Sequence, residues 1–214
     1  DGKYVCRAKE VRQLKSFLNT KSGGVKNGKR LNSKYSSTKY GTWGNGKKEN
    51  FETDGYGRVY RISWPNEKLA GTLDLGDFSK LKYVTLWSNR IKSIKVDGCS
   101  DLESLNASNN KITTFNGSTA KKLKKINLKN NKLTSAKFRH SGKTITIKRS
   151  GKKGSFAFEY NRGKSKSVTV YAASAPSGYK YKGIYTASGK RISSSRQYTF
   201  KPTGKTYYVK YVKR

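Results

Sequence analysis

Apolar positions recur through the middle of the chain at a fixed step. Leu81, Val84, Leu86, Ile91 and Ile94 surround Asn89; Leu102, Leu105, Ala107, Ile112 and Phe115 surround Asn110; Leu123, Ile126, Leu128, Leu133 and Ala136 surround Asn131. The step is 21 residues both times. A looser unit precedes them, with Val59, Ile62, Trp64 and Leu69 at the matching offsets and Glu67 where the Asn falls. One more step predicts a partial unit with a strand at 144–147. Within each unit the local alternation predicts a short strand whose inward side chains pack on the next unit, and an Asn amide suits the turn because it can satisfy backbone donors and acceptors together. The pattern therefore predicts a solenoid over 58–149, with units near 59, 81, 102 and 123.

A solenoid exposes apolar surface at its ends and needs covering elements there. Ahead of the repeats Val11, Leu14 and Leu18, with Phe17 beside them, fall on one face of a stretch from about 8 to 19 that lacks Gly and Pro, which predicts one amphipathic helix. Residues 20–57 read as a long loop with scattered aromatics, Tyr35, Tyr40, Trp43, Phe51 and Tyr56. Beyond residue 140 the 21-residue step is lost, and alternating segments at 155–160, 167–172, 179–185, 198–201 and 206–212 predict a small β module. The expected fold is α+β and mostly β: an N-terminal cap at 1–57, the solenoid at 58–149, and a basic β module at 150–214.

The L-x-x-L-x-L-x-x-N-x-L frame resembles the leucine-rich repeats of short-period bacterial surface proteins over about 58–140. Trp43-Gly44, Gly57-Arg58-Val59 and Leu69-Ala70-Gly71-Thr72-Leu73 are similar to the N-terminal cap of many such proteins. The stretch from Val168 to Tyr185, with Gly178, Tyr179, Gly183, Tyr185 and Gly189 as landmarks, resembles the internalin-type B-repeat, a β-grasp-like module; Ile184 stands where that family usually has Trp. The resemblance implies a secreted or cell-wall-associated binding and adhesion protein that recognises a protein or a glycan through the concave face. On that face three columns are expected: Arg61, Tyr83, Ser104 and Lys125; Ser63, Thr85, Asn106 and Asn127; Pro65, Trp87, Ser108 and Lys129. The candidate ligand-binding residues are Arg61, Tyr83, Thr85, Trp87, Asn106, Lys125, Asn127 and Lys129. Trp87 either anchors a partner or packs on a neighbouring coil.

Charge changes the picture of the partner. The 214 residues carry 48 Lys and Arg against 12 Asp and Glu, a formal net charge of +36. Lys outnumbers Arg 36 to 12 while Glu and Asp stand at 6 each, so the excess is not a general drift toward Lys codons, which brings Glu with it. The last segment, 141–214, holds 18 basic residues and one acidic. An aromatic share of 12% is too high for a disordered polybasic tail. Such a charge attracts polyanions such as teichoic acid, acidic glycan or extracellular DNA, and Lys152, Lys153, Lys164, Lys166, Lys180 and Lys182 are the candidate contacts. Lys supplies point charges where base-specific reading favours the Arg fork. A nucleic-acid-binding protein using diffuse Lys charge is the competing class, although no helix-turn-helix, zinc-finger or RNA-binding fingerprint occurs.

Catalytic chemistry is not expected. His140 is the single histidine and has no acidic residue near it in sequence. No spacing of His, Cys, Asp and Glu suggests a metal site, and no cofactor is implied. Gly142-Lys143-Thr144, Gly163-Lys164-Ser165 and Gly204-Lys205-Thr206 look like ends of phosphate loops, but Lys137, Phe158 and Thr199 occupy the place of the required earlier Gly. Cys99 reads as a small buried side chain, with a bridge to Cys6 as the alternative. The start at Asp1 reads as a mature or trimmed form. No apolar run reaches the roughly 18 residues of a membrane span, and a monomer is expected.

Overall fold

The 21-residue step becomes a stack of hydrogen-bonded rungs. A computed structural model of the protein describes residues 8–33, 51–163 and 165–214. In chain order it runs through helix α1 (Ala8–Asn19), the short pair β1 (Lys21–Ser22) and β2 (Val25–Lys26), helix α2 (Asn27–Leu31), and strands β3 (Phe51–Thr53), β4 (Val59–Ser63), β5 (Ala70–Asp74), β6 (Tyr83–Thr85), β7 (Arg90–Lys95), β8 (Ser104–Asn106), β9 (Thr114–Asn116), β10 (Lys125–Asn127) and β11 (Ser135–His140). The C-terminal part adds β12 (Lys143–Ser150), β13 (Phe156–Asn161), β14 (Ser167–Ala172), β15 (Tyr179–Thr186), β16 (Arg191–Ser193), β17 (Gln197–Phe200) and β18 (Thr206–Lys213). The protein is mostly β, with few helices and a β-solenoid of about four turns.

Each coil places one strand on either side of the core. On one side β4, β6, β8 and β10 pair in parallel, so that Ile62, Val84, Leu105 and Ile126 share one buried row. On the other side β5 pairs with β7, and β9 with β11. The Asn residues hold the turns between them. Asn110 donates to the carbonyls of Leu86 and Ala107 at 2.9 and 3.2 Å and accepts the Ile91 N–H at 2.9 Å. Asn131 repeats these contacts one coil later with Ala107, Leu128 and Ile112, and Asn89 does so one coil earlier with Trp64, Leu86 and Leu69. Each of the three is only 7% exposed, and burying an amide is tolerable when its donors and acceptor are all occupied. The preceding residues Ser88, Asn109 and Asn130 adopt φ of 57°, 54° and 54°, a left-handed bend that Asn accepts more readily than most side chains.

Helix α1 forms over Ala8–Asn19 and buries Val11, Leu14, Phe17 and Leu18 against the first coil. Phe17 stacks on Trp64, ring centroids 6.2 Å apart. Glu10, almost fully buried, accepts the Val59 N–H at 3.0 Å. Asn27 ties the same region down: its amide donates to Phe17 and Ala70 carbonyls, both at 2.8 Å, and accepts the Ala70 N–H. Where the sequence reads as one loop through 20–57, the described part holds β1, β2, α2 and β3. Tyr35, Tyr40, Trp43 and Cys6 lie outside the described residues.

The C-terminal strands extend both sides of the stack. β13 pairs antiparallel with β10 and is followed outward by β14 and β17, giving one eight-stranded sheet in the order β17-β14-β13-β10-β8-β6-β4-β3. The opposite six-stranded sheet runs β16-β15-β18-β12-β11-β9. Phe138 of β11 reaches across to Phe158 and Tyr160 of β13, at centroid distances of 5.4 and 4.6 Å, and a single hydrophobic cluster runs from Val11 to Tyr211. The strand expected at 144–147 is present within β12, but it folds back antiparallel on β11 instead of adding a parallel rung beside β10. The tight turn at Ser141 and Gly142, both at positive φ, reverses the chain before another coil can form. Strand β16 was not expected from the sequence.

Candidate binding face

The outer side of the eight-stranded sheet carries the three expected columns, with Ser108 of the third buried. Backbone register places Arg61 beside Tyr83, then Ser104 and Lys125; Ser63 beside Thr85, then Asn106 and Asn127. The third column, Pro65, Trp87, Ser108 and Lys129, is held by the continuing ladder Asn66 N–H to Trp87 C=O, Ser88 N–H to Ser108 C=O and Asn109 N–H to Lys129 C=O. Trp87 stands 39% exposed, whereas Trp64 one position inward of its column is fully buried.

Several of these side chains are already engaged. Arg61 pairs with Glu52 at 3.4 Å and lies over the Tyr83 ring at 5.0 Å. Asn106 accepts the Ser108 hydroxyl at 2.9 Å, and Asn127 accepts the Lys129 N–H at 3.0 Å. Lys129 holds its ammonium 5.0 Å from the Tyr171 ring. Lys125 is exposed.

The columns do not stop where the repeats stop. Because β13 pairs with β10 and β14 with β13, Lys125 is followed by Asn161 and Ser167, and Asn127 by Glu159, Thr169 and Thr199. A groove of about 410 Å³ opens at this junction, lined by Ser104, Asn106, Lys125, Asn127, Glu159, Asn161, Ser165, Ser167 and Thr169. Its polar side chains are amides and hydroxyls with the Lys125 ammonium and one carboxylate, that of Glu159, which accepts the Tyr171 hydroxyl. Burial, with the neighbouring Glu159, pushes the Tyr171 phenol up to about 12. Sequence reasoning reached Asn106, Lys125 and Asn127 and missed Glu159, Asn161, Ser167 and Thr169, since nothing in the 21-residue period announces which later strand docks on β10. A clue was present: Glu159 is the single acidic residue of 141–214.

The six lysines expected to meet polyanions fall on separate elements. Lys152 and Lys153 occupy the exposed turn between β12 and β13, Lys166 the turn between β13 and β14, and Lys180 and Lys182 strand β15 of the other sheet. Lys164 lies outside the described residues.

Reactive groups are sequestered. Cys99 is a buried free thiol that donates to the Leu75 carbonyl at 3.1 Å, and burial pushes it up to about 12. His140, 9% exposed, shares a hydrogen bond of 2.9 Å between its Nδ1 and the Tyr160 hydroxyl. Among the described residues no group of three or more His, Cys, Asp and Glu is placed to hold a metal ion, and no helix is long and apolar enough to cross a membrane. Compared with known proteins, the sequence matches no family model and no curated relative.

Proposed function

We propose that the protein is a secreted or surface-attached binding protein of the leucine-rich-repeat kind, with α1 as its N-terminal cap, that takes a protein or glycan ligand across the outer side of the eight-stranded sheet. The observation that carries this reading is the register: two of the three columns laid down by four coils, those of Lys125 and Asn127, run on into β13 and β14 and end in a groove of about 410 Å³. Amides, hydroxyls and a carboxylate supply acceptors and donors in rows, and the partly exposed Trp87 supplies an apolar anchor of the type that dominates binding energy at interfaces. The internalin B-repeat resemblance of the C-terminal strands and the charge of +36 support retention on anionic surfaces, through electrostatic attraction that is broad in its choice of partner.

The test is a binding panel of teichoic acid, heparin, duplex DNA and a neutral glycan across a salt series, since ionic association weakens steeply with salt. A ligand that stays bound at high salt to the wild type and is lost in Asn127→Ala or Trp87→Ala supports the face as its site. Equal, salt-erased binding to every anion, indifferent to both variants, overturns it.

A further inference from the structure

The outer side of the six-stranded sheet has a chemistry of its own. Its inward positions, such as Phe138, Ile147, Tyr207 and Val209, are buried. The alternate positions on the same strands include Lys137 and Arg139 on β11, Thr146 and Lys148 on β12, Tyr208 and Lys210 on β18, and Tyr185 on β15. The six strands contain no Asp or Glu, because Glu159 is the sole acidic residue of 104–214 and sits on the other sheet. Every ion pair among the described residues joins partners within 9–124. Among the described residues no carboxylate stands on these strands to offset the cations of this side, so they repel one another, and an external anion relieves that repulsion.

Register arranges them in a line. Lys137 faces Thr146, two residues before Lys148; Lys148 faces Tyr208, two residues before Lys210. Lys137, Lys148 and Lys210 thus step diagonally across three adjacent strands, one strand and two residues at a time, a pitch of about 8 Å. Tyrosines fix the two later members: Lys148 lies 5.1 Å over the Tyr208 ring and Lys210 5.1 Å over the Tyr185 ring. One face of each ring is thus covered by an ammonium group and is not open to a stacking base. Lys offers a point charge, which suits a singly charged phosphodiester more than the two-pronged geometry that favours Arg.

We propose that this side of the sheet binds a flexible, base-free phosphodiester chain along the Lys137–Lys148–Lys210 diagonal. The inference is independent of the ligand of the eight-stranded sheet and deepens only the anionic-surface half of the function above. It is tested on the full chain by fluorescence anisotropy with two probes of equal length, an abasic phosphodiester oligomer and oligo-dT, over a salt series. Lys137→Gln/Lys148→Gln/Lys210→Gln is expected to weaken abasic-oligomer binding about tenfold or more and to flatten the salt slope by about 2, as expected for three lost phosphate contacts. The control Lys82→Gln/Lys111→Gln/Lys132→Gln, three exposed lysines of the repeats with the same change in charge, is expected to weaken it less than about threefold. Equal losses in the two triples overturn the assignment in favour of diffuse attraction. Oligo-dT bound about tenfold more tightly than the abasic oligomer overturns it in favour of a nucleic acid. If the wild type binds neither probe, the anionic-surface reading falls as well; if it binds and the first triple changes nothing, only the diagonal falls.

Discussion

The side-chain carbonyl of Asn110 accepts the backbone N–H of Ile91 at 2.9 Å, joining residues 19 apart across two coils. With the amide of Asn110 donating to Leu86 and Ala107, one side chain does the work of a turn. Asn110→Ala leaves those buried backbone groups without partners, and each costs about 1–3 kcal/mol. We expect a loss of about 3 kcal/mol in urea unfolding, against less than about 0.5 kcal/mol for an exposed control such as Lys111→Ala.

The two tryptophans of the first coils separate stability from binding. Trp64 is fully buried against Phe17, and Trp87 is 39% exposed. Trp64→Ala is expected to cost about 3–5 kcal/mol. Trp87→Ala is expected to shift stability by less than about 1 kcal/mol while weakening ligand binding. A thermal melt of the two variants beside wild type checks the first half directly.

His140 gives the fold a dependence on pH. Burial, then the nearby Arg162 and Lys166 charges, hold its imidazole below the ordinary value of 6.5. The unfolded chain therefore takes up a proton at a pH where the folded chain does not. The stability contributed by neutral His140 is complete above pH 6.5 and is lost as pH falls from 6.5 through the lowered folded value. Urea midpoints measured from pH 7.5 to 4.5 are expected to show this fall in wild type and a smaller one in His140→Phe.

At Gly98 φ is +93° and an added Cβ would collide with the Gly76 carbonyl oxygen of the preceding coil. Gly98→Ala must both strain the backbone and push the coils apart, and is expected to cost at least about 2 kcal/mol. Gly142→Ala shares the positive φ of +77° but has open space around it, so it isolates the strain and is expected to cost about 1 kcal/mol. Circular-dichroism melts of the pair separate crowding from strain.

Much of this architecture was legible because period and register are the same information. Once Leu81, Leu102 and Leu123 set the 21-residue step, the neighbours of Tyr83 and Thr85 on the next coil followed by counting, and the observed ladder places Ser104 and Asn106 there. Counting failed at Thr144, because a step in sequence carries the stack forward only while the chain keeps turning in one sense, and the Ser141-Gly142 turn reverses it. The groove was hidden for a related reason. Asn127 meets Glu159 through an antiparallel pairing, and alternation within 156–161 fixes which side each residue faces but not which strand it will join. Alternation within the strand expected at 206–212 puts Tyr208 and Lys210 on one side; that Lys148 would stand over Tyr208 depended on a parallel pairing with β12 that no local signal reports.

The docking of β13 on β10 has a bearing on how such a chain changes its reach. β13 meets the last coil through backbone hydrogen bonds and the short register Lys125 to Asn161, Ile126 to Tyr160 and Asn127 to Glu159. Side-chain packing of Phe138 on Phe158 and Tyr160 completes the seat, so the last coil has to keep β11 as well as the edge of β10. Duplicating one 21-residue unit ahead of Leu123 would move the Glu52–Arg61 end away from the Glu159 groove by one strand spacing, about 4.8 Å, with both ends chemically unaltered. The molecule is in that sense a gauge, in which distance is written in whole coils and chemistry is written at the termini of the stack.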